Sequence, residues 1–486
     1  MDLVVVSNRV ARGKANEPMT GGLAAALLPV VEKSGAIWVG SSGRVCDGSQ
    51  SEPFAEVEAL GTGALAMFDL PAAHYGGYYE GFANSALWPA LHSRSDLIRV
   101  SHEDYLSYRE VNAFMARALL RFRMPDTLFW VQDYHFLTLG AELRELGVSE
   151  PIGFFLHTPW PSRSVISAVP HYRELIQAML AYDLIGFQTE EDCENFLSCV
   201  RVELGLAVCD GVVVSRRGRT RVAVFPIGID AENFMRAAAR AITHPEVSRL
   251  RKSLNGEKLA IGVDRLDYSK GLVNRISAFD RMWTNEPALL RSVSLLQIAT
   301  PSRGSIEAYG NLQNEVARLV SDVNGRHGEV DWTPIRYLNK GYGQTVLAGL
   351  YRTAQVGVVT PLHDGMNLVA KEYVAAQNPA DPGVLVLSKF AGAANELDTA
   401  LMVNPHDIDS MARAIAMAVA MPLSERRLRY EAMMDRLRAH SIQQWFADFV
   451  GGLRDAQADK ASVEPLLPDS PTILPQHPAH SGARLH

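Results

Sequence analysis

The sequence predicts an α/β fold built as two consecutive units around a shared cleft, and three observations predict it. Short apolar runs of β type alternate with amphipathic helical stretches along most of the chain. Several of those runs end in polar or glycine-rich residues, which is the sheet edge where parallel α/β folds bind ligands. The series then restarts after Pro226-Ile227-Gly228-Ile229-Asp230, which reads as a hinge.

In the first unit, residues 3–6 form a buried strand that ends at Ser7-Asn8-Arg9. A helix over 23–32 follows, entered through Gly21 and Gly22. The pattern fits a plain βα corner. It also fits a backbone that admits a ligand, with Arg9 reaching an anion. Residues 37–40 are the next strand. Gly61-Thr62-Gly63-Ala64-Leu65-Ala66 matches a dinucleotide fingerprint by letter, but 65–70 reads as a strand, so the match is set aside. Residues 75–88 are rich in aromatics and glycine, suited equally to sugar rings and to a core. After a helix over 104–123, the strand at 127–132 ends in Asp133-Tyr134-His135. The strand at 152–156 ends in His157-Thr158-Pro159-Trp160-Pro161. A strand at 184–188, a helix at 190–203 and a strand at 221–225 complete the unit.

The second unit starts near Lys258, with a strand at 259–263. Arg265 and Lys270 follow it, and both could face a diphosphate: arginine offers forked donors, lysine a point charge. Strands at 293–298 and 335–338 flank a helix at 311–324, and Pro301-Ser302-Arg303-Gly304 follows the first. Residues 356–372, VGVVTPLHDGMNLVAKE, are the organising stretch. A buried strand feeds the turn His363-Asp364-Gly365, which opens a helix from Met366. The first amides of such a helix lack partners and its dipole end is positive, so it attracts phosphate. Gly365 would admit an anion close to the backbone, Lys371 would add charge, and Asp364 and Glu372 would accept bonds from sugar hydroxyls. That combination suggests a sugar-nucleotide site. A strand at 384–387 and helices at 408–420 and 423–450 follow. From Lys460 a proline-rich polar tail reads as disordered.

Composition narrows the function classes. Of 486 residues, 47% are hydrophobic and 21% charged, as in soluble globular proteins. The net charge of −7 argues against a nucleic-acid binder, so anionic ligands must be held by local cations. Four cysteines, Cys46, Cys193, Cys199 and Cys209, form no disulfide framework or zinc spacing, and buried reduced thiols in a cytoplasmic protein are expected. No leader or membrane span is apparent. No Walker loop or zinc-protease motif occurs, and Asp407-x-Asp409 reads as a helix cap, so neither a metal nor a cofactor is expected.

The string Asp364-Gly365-Met366-Asn367-Leu368-Val369-Ala370-Lys371-Glu372-Tyr373 resembles the donor-binding segment of the trehalose-6-phosphate synthase family, retaining glycosyltransferases that use UDP-glucose. The resemblance covers about residues 1–455. It also rests on Ser7-Asn8-Arg9, Gly21-Gly22, Tyr79 with Asn84 and Leu87-Trp88-Pro89, Gln132-Asp133-Tyr134-His135, His157 with Pro159 and Pro161, residues 265–271, and Ser302-Arg303-Gly304.

That resemblance implies a GT-B architecture of two Rossmann-like domains facing a central cleft. Residues 1–228 would bind the acceptor, 229–455 the nucleotide sugar, and 456–486 would be a tail. It implies that UDP-glucose lies along Gly21, Gly22, His157, Arg265, Lys270, Tyr342, Asp364, Asn367, Leu368, Val369, Ala370, Lys371 and Glu372. Arg265 and Lys270 would hold the diphosphate, Glu372 the ribose, and Asp364 and His157 the glucose; these cations with Asp364 and His157 would stabilise the transition state. Glucose 6-phosphate would lie against Arg9, Tyr79, Trp88, Asp133 and Arg303, with Arg9 and Arg303 on its phosphate. Two departures bear on the acceptor: Ser41 replaces a tryptophan of the family's W-x-G-W-S-G string, and Glu80 replaces a usual asparagine. Another acceptor such as glycerol 3-phosphate, a non-catalytic sugar-phosphate sensor and an epimerase are the competing readings. A homo-oligomer is compatible with the sequence.

Overall fold

The computed structural model describes residues 3–11, 22–46 and 55–461. Gly21 and the tail from residue 462 lie outside them. The strands of the first sheet are β1 (Leu3–Arg9), β2 (Ile37–Cys46), β3 (Glu56–Leu60), β4 (Gly63–Pro71), β5 (Leu128–Gln132), β6 (Ile152–Phe155), β7 (Leu184–Phe187), β8 (Val208–Cys209), β9 (Val212–Ser215) and β10 (Gly218–Val224). Those of the second are β11 (Lys258–Arg265), β12 (Val293–Thr300), β13 (Ile335–Leu338), β14 (Val356–Val359), β15 (Val384–Ser388) and β16 (Leu401–Val403).

The second sheet runs β13-β12-β11-β14-β15-β16, with every pairing parallel. Its strand order reverses between β11 and β14, and such a switch point leaves a crevice at the strands' carboxyl ends. The first sheet repeats the plan. Its parallel centre runs β4-β2-β1-β5-β6-β7-β10 and reverses between β1 and β5. Antiparallel β3 and the β8–β9 hairpin extend its edges. The architecture is thus α/β with two mostly parallel sheets, the GT-B plan. The residues that follow β1, β5, β11 and β14 are those the sequence singled out, because each apolar strand ends where its polar continuation reaches a crevice.

The stretch after β4 departs from ordinary helix. Gly76–Leu87 is a π-helix, whose wide turns close from Trp88 N–H back to Ala83 C=O. Such turns are rare and often mark functional sites. Here Tyr78, Phe82 and Leu87 face the core, while Tyr79 and Glu80 are less covered.

The long helix expected over 423–450 is two helices, Leu423–Ala439 and Ile442–Ala461. The chain breaks at His440-Ser441, where the Ser441 hydroxyl accepts from the Gln444 amide at 3.2 Å and caps the second helix. The break turns the last helix back onto the first sheet. Phe449 lies in the space left by Gly153 and Gly186, and Trp445 and Phe449 pack against Trp130 at 4.8 and 4.7 Å between ring centres. The chain therefore crosses between lobes twice, at residues 225–230 and 440–441.

Asp407 does cap its helix, accepting from the Ser410 amide at 2.9 Å. All four cysteines are free, but only Cys193 and Cys199 are buried; Cys209 is exposed and Cys46 half-buried. Among the described residues no helix is long and apolar enough to cross a membrane, and no group of three His, Cys, Asp or Glu side chains could hold a metal ion.

Candidate active site

The loops at the carboxyl edges of the two sheets meet. On the second lobe, Asp267 accepts from the Ser269 amide at 3.1 Å and so starts the turn Tyr268–Lys270. Gly271, at φ 66°, then lets the chain enter the next helix. This geometry aims Lys270 at the β14 turn, where its ammonium donates to Asp364 Oδ2 at 2.5 Å. Burial alone would raise the Asp364 carboxyl, but Lys270 holds it below its ordinary value, so the carboxyl stays ionised.

The donor helix begins two residues later than the sequence suggests, at Leu368. Asn367 adopts φ 74°, a left-handed cap. Its Nδ2 donates to Asp364 Oδ2 at 3.0 Å, and its Oδ1 accepts from Ala370 N–H at 3.4 Å. Leu368 and Val369 thus carry first-turn amides without intrahelical acceptors. Ala370 is fully buried and its amide donates to Asn367 Oδ1. The Lys371 ammonium is fully buried and donates to Glu396 Oε1 at 2.6 Å and the Ile227 carbonyl at 2.7 Å. One helical step on, Glu372 is half-buried, and burial pushes its carboxyl up to about 7. Tyr342 lies half-buried with the Lys340 ammonium 4.9 Å from its ring centre.

Gly365 allows close packing between the lobes. A side-chain carbon there would strike the His157 carbonyl, and Gly392 closes on Gly365 from the other side. His157 is thereby brought beside the β14 turn. Its Nε2 lies 2.8 Å from Gln132 Oε1, so Nε2–H donates and Nδ1 is left as the acceptor. Burial lowers the imidazole to about 3, so it is neutral and can bind a hydroxyl but carries no charge. Its amide donates to Asp133 Oδ1 at 3.2 Å. Asp133 stands at φ 74°, and burial lifts its carboxyl to about 6 against the pull of nearby amides, Arg265 and Arg303.

Asp267 joins the lobes. Its fully buried carboxylate accepts from Arg303 Nη1 at 3.0 Å, from Tyr309 Oη at 3.3 Å and from Trp88 Nε1 at 3.4 Å, with Arg265 Nη2 at 3.9 Å. Burial would raise it, yet Arg303 and Arg265 hold it well below the usual carboxylate range. Arg303 lies 3.9 Å over the Trp88 ring and donates through Nη2 to Tyr134 Oη at 3.1 Å. Tyr134 in turn donates to Asn84 Oδ1 at 2.8 Å. Arg265 stands 5.2 Å from the same indole centre. Trp88, expected to orient a sugar, is 5% exposed and lies against both arginines. Tyr79 stacks between Tyr75 at 5.5 Å and His135 at 5.9 Å. Arg9, exposed at the end of β1, lies against Gly43 and near Tyr75, at the far side of that stack. Ser41 is buried, and its hydroxyl accepts from Gly43 N–H at 3.0 Å. Glu80 accepts from the Ser305 hydroxyl across the cleft at 2.7 Å.

The structure therefore gathers Arg265, Lys270, Asp364, Asn367, Arg303, Trp88, Asp133 and His157 where the lobes meet, with Arg9, Tyr79 and Tyr342 further out. Gly22 opens a helix, Gly22–Ser34, at the end of the segment that contains Gly21. Sequence reasoning missed Asp267, Tyr134, Tyr309 and Gln132 as parts of the site. The signal for Asp267 was present: an acid two residues from one predicted anion-binding cation and three from another. The arrangement can hold a diphosphate and a second phosphate on separate cations while neutral His157 and ionised Asp364 bind hydroxyls between them.

Known proteins share this frame. The family described as Glycosyltransferase family 20 matches residues 3–455. A trehalose-6-phosphate synthase of Sinorhizobium fredii is 46% identical over 93% of this chain and 98% of its own. The solved α,α-trehalose-phosphate synthase (UDP-forming) of Burkholderia xenovorans, in complex with glucose-6-phosphate, superposes with TM-score 0.91 at 43% identity, covering 93% of this chain and 100% of that one. A solved structure from E. coli, described as trehalose-6-phosphate bound with UDP-2-fluoro glucose, gives TM-score 0.87 at 39% identity, covering 93% and 99%. With both lobes, both switch points and the paired cation sites accounted for, the chain belongs to glycosyltransferase family 20.

Proposed function

We propose that the protein transfers glucose from UDP-glucose to glucose 6-phosphate, with retention and without a metal ion, giving α,α-trehalose 6-phosphate and UDP. The observation that carries this reading is the Arg265–Asp267–Arg303 cluster. One buried carboxylate sets a cation for a donor diphosphate beside a cation for an acceptor phosphate. The relatives' names, glucose 6-phosphate in one solved neighbour and a UDP-glucose analogue in another support the choice of substrates.

As the glucose–phosphate bond breaks, negative charge grows on the leaving diphosphate and positive charge on the sugar. Arg265, Lys270 and the amides of Leu368 and Val369 are fixed donors for that negative charge, and fixed donors aimed at developing charge lower the barrier. Lys270 must exchange its bond to Asp364 for the diphosphate, which frees the Asp364 carboxylate for a glucose hydroxyl. The neutral His157 can add a second hydroxyl contact. The acceptor hydroxyl enters from the Arg303 side, on the face that the leaving phosphate occupies, so the phosphate oxygen itself can take the proton. Contact between Gly365 and His157 closes the cleft and keeps water from competing.

UDP release by the purified protein, measured with and without glucose 6-phosphate, tests this, with NMR of the anomeric linkage and a parallel assay in EDTA. No stimulation by glucose 6-phosphate would sink the reading. A second acceptor is favoured by one observation, the buried Ser41 hydroxyl where the family places a ring. Stimulation by glycerol 3-phosphate instead would select it. Absence of turnover with either would select a sensor, and sugar isomerisation from UDP-glucose alone an epimerase.

A further inference from the structure

Lys371 is a charged residue that the proposed transfer does not use, yet it is wholly buried on the donor helix next to Glu372. Its ammonium meets two parts of the chain that are far apart in sequence, and Glu396 links it to a third. It donates to the Ile227 carbonyl in the first crossover at 2.7 Å and to Glu396 Oε1, after the turn Gly392–Asn395, at 2.6 Å. The other oxygen of Glu396 lies 3.2 Å from His440 Nδ1 in the second crossover. The crossovers also touch directly, since a side-chain carbon on Gly228 would strike the His440 carbonyl. An ion pair buried this deeply adds little net stability, because desolvation offsets the attraction; its use lies in fixing one arrangement among several. Here the arrangement fixed is that of the donor helix against both hinges.

We propose that Lys371, Glu396 and His440 form a pin that ties the donor-binding helix to both inter-lobe crossovers, so that donor binding and lobe closure occur as one event. Lys371 is then a positioning residue. Its neighbour Glu372 is half-buried on the same helix while the Lys371 side chain holds the hinge, so a turn of the helix and a turn of the lobes are the same motion. The proposal rests on the reading that the nucleotide sugar lies at this helix.

The test uses the full chain with Lys371→Met, Glu396→Gln and the double variant Lys371→Met/Glu396→Met. UDP binding by calorimetry to the unaltered protein checks the underlying reading separately: no binding there overturns the site, not the pin. Given binding, each single variant should keep UDP affinity within about threefold, lose about tenfold or more in kcat, and release more UDP per glucose transferred, as uncoupled closure admits water. The double variant, with an apolar pair in place of the ions, should recover the melting temperature but not kcat. A purely structural role would restore both, and wild-type kcat in the double variant overturns the proposal. If Lys371→Met fails to fold, Glu396→Gln, which keeps the side chain's shape, decides alone: unchanged kcat and coupling overturn it.

Discussion

Asp267 and Arg303 form a buried ion pair at 3.0 Å, with side chains 0% and 6% exposed. The carboxylate belongs to the proposed donor loop and the guanidinium to the proposed acceptor site, so in that reading each substrate's cation is oriented by a group shared with the other. Replacing Asp267 by Asn should leave Arg303 buried without its counter-charge, a loss of about 3 kcal/mol in unfolding free energy. Both KM values should rise together. Urea denaturation and two-substrate kinetics check this; a change in only one KM would contradict the shared role.

Removing a diphosphate donor should act on the rate. Lys270→Ala should lower kcat by about a hundredfold or more, equivalent to about 3 kcal/mol, with far-UV circular dichroism unchanged. Near-normal kcat would contradict its assignment to the leaving group.

Arg9→Ala should behave differently. Arg9 is exposed, so stability should be unaffected. The apparent KM for glucose 6-phosphate should rise at least about tenfold, as expected when an ion pair to a phosphate is lost. UDP affinity, measured by calorimetry, should not move.

The pH dependence of nucleotide binding should report Glu372. Burial raises its carboxyl to about 7, so in the free protein it is ionised above that pH and neutral below it. Only the carboxylate accepts bonds from both ribose hydroxyls. UDP affinity should therefore weaken as pH falls through about 7, and Glu372→Gln should flatten that limb while lowering affinity throughout.

Gly365→Ala tests the contact between lobes. The added carbon meets the His157 backbone, which cannot swing away as a side-chain tip could. The lobes should stay apart and kcat should fall, up to about a hundredfold for a misplacement near 1 Å. The melting temperature, measured without ligand, should change little by comparison.

Much of this architecture was legible in the sequence because buried parallel strands read as unbroken apolar runs. β14 (VGVV) and β15 (VLVLS) show this plainly. Edge strands such as β3 and the β8–β9 hairpin are short or partly exposed and carry no such signal. The helix break at His440-Ser441 was missed although Ser441 and Gln444 carry a helix-start signal, because the apolar positions on either side read as one run. In the site, the cations were legible because they follow strand ends. Their partners were not, since the bonds of Asp267 to Trp88 and Arg303 span large sequence separations. Lys371 shows a related limit: spacing places it on the helix after β14 but does not say that its ammonium meets the first crossover.

The return of the last helix has a consequence for how the molecule is made. Phe449 and Trp445 cover Trp130 and the glycines of β6 and β7. A nascent chain therefore leaves Trp130 and the patch at Gly153 and Gly186 uncovered until these late residues leave the ribosome. The lobe translated first is therefore the one completed last.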